Sequence, residues 1–290
     1  MRILAGLLAA LVLALPAAPS PARAAPPVWV VRDADSEMVL FGSIHVLPPG
    51  LAWSPPTLDA ALKQADDLWF ELPPGPVAEQ EIARLAATTG VLPPGKSLFA
   101  LLTPKDAELL LRAAEELGVD KATLDRLEPW LAEVAIAAAS YRAAGADTDN
   151  GVEKSVEGAT PSRVKRAAFE TPAEQLGLFD NSPLDEQIAS LNQTVRELAE
   201  DPDAYGKLVR AWMAGDTRVL DDEALEPMRK ASPALFKRLV TDRNARWIGR
   251  LETRLKGKGR TVVVVGVGHL IGEGGLPSRL RALGYSVTGP

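Results

Sequence analysis

Apolar positions along the chain follow two periods. Near the start, Val28–Arg32 (VWVVR) and Met38–Gly42 (MVLFG) are short apolar runs flanking the polar DADSE, a pattern that predicts a β-hairpin. A third run, Asp67–Leu72 (DLWFEL), follows. Near the other end, Thr261–Gly268 (TVVVVGVG) places four valines in succession before glycine, as in a strand covered on both faces. Residues 285–289 (YSVTG) predict a last strand. Between about 76 and 256 the period lengthens to that of helices. Leu184, Ile188, Leu191, Val195 and Leu198 recur at alternating spacings of four and three. Strands at both ends around a helical middle predict an α/β (α+β) fold. Its mixed central sheet would be built from N- and C-terminal strands, with a helical insertion over about 76–256.

Helix starts repeat one device. Ser54-Pro55, Thr103-Pro104, Thr171-Pro172, Ser182-Pro183 and Ser232-Pro233 each pair a capping hydroxyl with a first-turn proline. Thr103, Thr171 and Ser182 also have an acidic residue three positions on, at Asp106, Glu174 and Asp185, which resembles a capping box.

Composition narrows the classes. A chain of 290 residues, 47% hydrophobic, can bury a large core. Formal net charge is −6, unlike the concentrated positive surface of nucleic-acid binders. The absence of cysteine excludes disulfides, thiolate metal sites and a cysteine nucleophile. Arg2, an apolar run from Ile3 to Leu15, and Ala22-Arg23-Ala24 form the three regions of a secretory signal peptide. The run of 13 residues is short of the ~20 that span a bilayer. Cleavage after Ala24 is expected, leaving residues 25–290 as one domain of formal charge −8. The expected protein is exported, periplasmic if the cell is Gram-negative, and bound to neither membrane nor nucleic acid.

The chain has two histidines, and they share a context. Phe41-Gly42-Ser43-Ile44-His45 and Val265-Gly266-Val267-Gly268-His269 both read apolar strand, glycine, two residues, histidine. If the two strands share a sheet, both side chains sit over its C-terminal edge, where open α/β sheets bind ligands. Two imidazoles there could hold a metal or divide acid and base work. Glu71, ending the third run, is the first candidate carboxylate, and Glu170 in AAFETPAEQ is the second. In the helical stretch 233–255, the residues Leu235, Phe236, Leu239, Val240, Trp247, Ile248 and Leu251 make one apolar arc. Arg243 falls inside that arc and Asn244 toward its far side. A buried arginine needs an anion, so Arg243 is expected to meet Glu71, Glu170 or a developing oxyanion. The glycines Gly266, Gly268 and Gly272 miss the dinucleotide-binding spacing by one residue, and neither H-E-x-x-H nor G-x-S-x-G occurs.

LFGSIHVLP, LWFELP, FETPAEQLGLFDNSP, DRNARW and VVVVGVGHLIGEGGLPSRLRALGYSV together resemble the TraB/PrgY/GumN family, in order and across the whole mature chain. The stretch DTDNGVEKSVEGATPSRVKRAAF departs most from the family pattern. The family is similar to the Tiki metalloproteases and, more distantly, to erythromycin esterases and haem-binding ChaN proteins. The resemblance implies a site of two Gly-x-x-His motifs plus glutamate: Gly42, His45, Gly266 and His269, with Glu71.

Three functions follow as expectations. In the first, His45, His269 and Glu71 bind a divalent ion (Mn, Co or Zn) that activates water against a peptide or amide bond. Arg243 or Asn244 then steadies the oxyanion, and Glu170 is an accessory carboxylate. In the second, a His/Glu pair activates water without metal. In the third, the same residues bind a peptide, haem or polymer without turnover.

Overall fold

The computed structural model describes residues 25–290, so the leader read from the sequence lies outside the described residues. Six strands form one mixed sheet: β1 (Val28–Arg32), β2 (Ser36–Ser43), β3 (Asp67–Phe70), β4 (Lys165–Ala168), β5 (Gly259–Gly266) and β6 (Ser286–Thr288). Their order across the sheet is β4-β3-β5-β2-β1-β6. β1 and β2 form the expected antiparallel hairpin, and β6 joins the edge antiparallel to β1. β2, β5, β3 and β4 run parallel. The four valines Val262–Val265 are all buried, as a parallel strand covered on both faces requires.

The middle of the chain differs from expectation at one point. It is not helical throughout, because β4 interrupts it and adds a strand at the sheet edge. Its KRAA sequence is only half-buried and carries no long apolar run, so it lacks the signal that marks the central strands. A second apolar cluster, including Leu110, Ile136, Leu191 and Val195, lies among the helices Pro104–Glu116, Pro129–Ala143 and Leu184–Glu200.

Three of the five hydroxyls cap helices. Thr103, Thr171 and Ser232 accept the expected backbone N–H groups, and Thr171 with Glu174 completes a capping box. Ser54 and Ser182 do not. The helix Pro56–Gln64 begins one residue later than Ser54-Pro55 suggests, and Ser54 instead donates to Asp59. Ser182 donates back to the Leu178 carbonyl, the alternative open to serine at the end of a helix.

The 233–255 stretch is not one uniform helix. A π turn at Lys237–Thr241 separates Pro233–Phe236 from the helix Asp242–Leu255. The turn inserts a residue into the helical repeat. Beyond it, Arg243, Trp247, Leu251 and Leu255 fall on one buried face at intervals of four, with Asn244 beside Arg243. No described helix is long and apolar enough to cross a membrane.

Candidate active site

Strand order delivers the site. β5 lies between β2 and β3, and β4 lies outside β3, all four parallel. Their C-terminal ends therefore set down His45, His269, Glu71 and Glu170 along one sheet edge. The register is close: Ser43 pairs with Gly266 and Phe70 with Val264. The Gly266 N–H then donates to Glu71 Oε1 at 2.7 Å, and the Glu170 N–H donates to the Glu71 carbonyl at 2.9 Å. Gly266 has no room for a side chain without crowding the site. A Cβ there would lie 3.2 Å from Glu71 Oε1, 3.8 Å from His45 Nε2 and 3.9 Å from His269 Cδ2. The same point marks where the two motifs and the glutamate converge.

Arg243 is the hub. Its guanidinium donates to both oxygens of Glu170, to Glu71 Oε2 at 2.6 Å, to the Leu239 carbonyl and to His269 Nε2 at 3.0 Å. These partners engage the whole donor fork within the protein. Trp247 donates its indole N–H to Glu170 Oε1, lies under the Arg243 guanidinium, and packs between Phe169 and the His269 ring. The expectation that Arg243 needs an anion is met by both carboxylates at once.

The two histidines have opposite surroundings. His269 is buried, its side chain 7% exposed. Asn244 donates through Nδ2 to the His269 and Gly274 carbonyls, which leaves Oδ1 to accept from His269 Nδ1 at 2.7 Å. That contact fixes the Nδ1–H tautomer and turns the Nε2 lone pair toward Arg243. Burial, opposed by Glu71 and aided by Arg243, pushes the ring down to about 4, so it is neutral. His45 is 61% exposed and opens onto a cleft. Its Nδ1 faces Glu153 Oε1 at 2.7 Å, and Ser43 donates to the same oxygen at 2.5 Å. The Glu153 carboxylate beside it raises the His45 ring to about 9, so the ring carries its proton at neutral pH. Burial pushes the Glu71 carboxyl up, but His269, Arg243, His45 and the Gly266 N–H outweigh it and hold Glu71 at about 2. With His269 neutral, Arg243 is the buried cation that keeps Glu71 ionised near pH 7.

Glu153 and Gln175 are site residues that the sequence reading missed. Gln175, in the helix Pro172–Asp180, donates to Glu71 Oε2 at 3.1 Å. Glu153 lies in the first turn of Val152–Ala159, within the stretch that departs most from the family pattern. One signal for it was Gly151, where a Cβ would meet the His45 carbonyl at 2.1 Å. Only glycine lets that chain pass the first histidine so closely. The cleft holds about 630 Å³, and its floor includes His45, Glu71, Glu153 and Gln175. Pro73 and Pro74 also line it.

The same geometry tests a metal held by His45, His269 and Glu71. Both histidines have an oxygen acceptor behind Nδ1, as metal-bound histidines do. The donors do not close on an ion, however. His269 gives its Nε2 to Arg243 at 3.0 Å. Glu71 Oε2 is taken by Arg243 and Gln175. Among the described residues, no group of three or more His, Asp or Glu side chains is arranged to hold a metal ion.

A mixed α/β sheet with two Gly-x-x-His strand exits, a strand-end glutamate and a buried arginine hub defines the class. The sequence profile of the TraB/PrgY/gumN family matches residues 27–289, so the chain belongs to that family. It is 23% identical over 257 residues to "Uncharacterized protein YbaP" of Escherichia coli (strain K12), spanning 88% of this chain and 92% of that protein. The Shigella flexneri protein of the same name is similar to the same extent. No solved structure matches the chain significantly.

Proposed function

We propose that the protein hydrolyses a peptide or amide bond, with Glu71 and His45 as the reacting pair. The observation that carries the reading is that Glu71 Oε1 and His45 Nε2 both face Gly266, 3.2 Å and 3.8 Å from where a Cβ on that glycine would stand. Both residues also line the cleft. Glu71 orients a water and takes its proton as the water oxygen bonds to the acyl carbon. His45 gives its Nε2 proton to the leaving nitrogen as the C–N bond breaks. Glu71 returns its proton to His45 through solvent, restoring both groups. A carboxylate held so low is a weak base, so orientation of the water is a large part of its work.

The remaining residues position these two. Glu153 holds the His45 ring with Nε2 toward the cleft. Arg243, whose donors are spent inside the protein, keeps Glu71 charged and fixed. Glu170 and Trp247 hold Arg243, and Asn244 with neutral His269 closes the buried side.

The test is turnover of internally quenched peptides by the purified protein, with and without EDTA. Each of Glu71→Gln and His45→Ala is expected to lower kcat by about 10²–10⁴, and EDTA should leave the wild-type rate unchanged. No turnover, or turnover that Glu71→Gln leaves intact, overturns the reading. Loss of activity on EDTA treatment, restored by Mn²⁺, Co²⁺ or Zn²⁺, would replace it with metal-assisted hydrolysis.

A further inference from the structure

The cleft above His45 and Glu71 has two unlike walls. One is the Leu72–Gly75 turn and the helix Pro76–Thr89, which presents Ala78, Glu79 and Ile82 on one face. The other is the helix Val152–Ala159, which contributes Glu153, Lys154, Glu157 and Gly158. Most of the contact surface comes from apolar groups: Phe70, Leu72, Pro73, Pro74, Ala78 and Ile82.

The helix Pro76–Thr89 is short of packing. Of its 14 residues only Ala78 is fully buried, and Ile82 remains half-buried facing the cleft. An amphipathic helix normally buries its apolar stripe against a neighbour. Here part of that stripe is the wall of the cleft, so an apolar group entering beside Ile82 would complete its burial. That burial of apolar surface is the main attraction the cleft offers.

Charge sharpens the preference. Four carboxylates line the cleft: Glu71, Glu79, Glu153 and Glu157. Among the lining residues Lys154 and His45 carry positive charge, and both are already engaged. Lys154 pairs with Asp149 at 2.7 Å and reaches Glu79 across the cleft at 3.8 Å. His45 is paired with Glu153. An acidic side chain entering the cleft would lose water and find no unpaired cation.

We propose that the cleft selects a peptide segment whose large apolar side chain lies against Ile82 and Leu72, and that it rejects acidic side chains there. The proposal rests on the reading of the site as a peptide hydrolase. Ile82 is then a specificity residue that touches substrate without taking part in the reaction.

The test separates binding from turnover by using Glu71→Gln, which retains the apolar walls. The probes are three blocked tetrapeptide amides, Ac-Ala-X-Ala-Ala-NH2, with Phe, Lys or Asp at X, titrated calorimetrically. The Phe peptide should bind at least tenfold more tightly than the Asp peptide, with Lys between them. Adding Ile82→Asp should abolish the preference for Phe and reverse the order of Phe and Lys. The thermal melt of that double variant checks folding, and Ile82→Ala, expected to weaken Phe binding about threefold to tenfold, serves if the aspartate unfolds the chain. Equal affinity for Phe and Asp, no binding of any probe, or insensitivity to both Ile82 variants overturns the inference. Selective Phe binding by a protein that turns over no peptide would sink the hydrolase reading and leave the cleft preference standing.

Discussion

His45 and His269 occupy the same place in the same motif and have opposite chemistry. Each follows a parallel strand and a close-packed glycine, and the two strands are neighbours. One ring is open to the cleft and held protonated by Glu153. The other is buried, neutral, and clamped between Asn244 and Arg243. A motif sets where a side chain starts. What that side chain becomes is decided by groups arriving from elsewhere, here two helices, one carrying Glu153 in its first turn and the other carrying Arg243 and Asn244.

The largest way to break the contrast is on the buried side. Glu170→Ala removes two acceptors from a guanidinium that water cannot reach, and it orphans the Trp247 indole N–H. Breaking one partner of a buried ion pair costs about 3–5 kcal/mol. Urea unfolding should show a loss of that size, and a loss under about 1 kcal/mol would mean that water already reaches Arg243. Asn244→Ala comes next. It leaves the His269 Nδ1–H and two carbonyls without their partner. An unsatisfied buried group costs about 1–3 kcal/mol, which should appear as a lower unfolding midpoint with an unchanged slope.

The open side should be thermodynamically quieter. Glu153→Gln removes the charge beside His45, whose ring is largely exposed to screening solvent, so the stability lost should be smaller than on the buried side. The effect should appear in titration instead, with the His45 pKa falling toward its ordinary value. The sign for the wild type follows from linkage. Because folding raises the His45 pKa, its contribution to stability is complete below pH about 6.5 and is lost as pH climbs through about 9. Glu71 has the reverse sign: its contribution is present above pH about 4.5 and is lost as pH falls toward about 2. The proposed reaction needs Glu71 ionised and His45 protonated, so kcat/KM should fall on the alkaline side, through about pH 9.

Much of the frame was legible in the sequence, for identifiable reasons. The hairpin and β5 announce themselves by apolar runs between turns, Glu71 by ending the third run, and Glu170 by standing just before the Thr171-Pro172 helix start. Arg243 was legible because a charge inside an apolar arc is costly unless it is paired. β4 was missed because an edge strand of one exposed and three half-buried residues needs no hydrophobic signature. Glu153 and Gln175 were missed because each sits in a helix whose sequence reads as a solvated face. Their role comes from what the helix lies against, which local periodicity does not encode. The Ser182 hydroxyl shows the same limit on a smaller scale: the dipeptide fits a cap, but a carbonyl four residues back is the nearer partner.

The most direct test uses the fact that the chain has only two histidines. Imidazole resonances of the folded protein, assigned with His45→Ala, can be followed by NMR from pH 4 to 10. One ring should titrate near 9 and the other should stay neutral, as the Nδ1–H tautomer, down to about 4. Mn²⁺, Co²⁺ or Zn²⁺ at equimolar concentration should leave the pair unperturbed. Two rings titrating together near 6.5, or both perturbed by one equivalent of metal, would contradict the division of labour between His45 and His269.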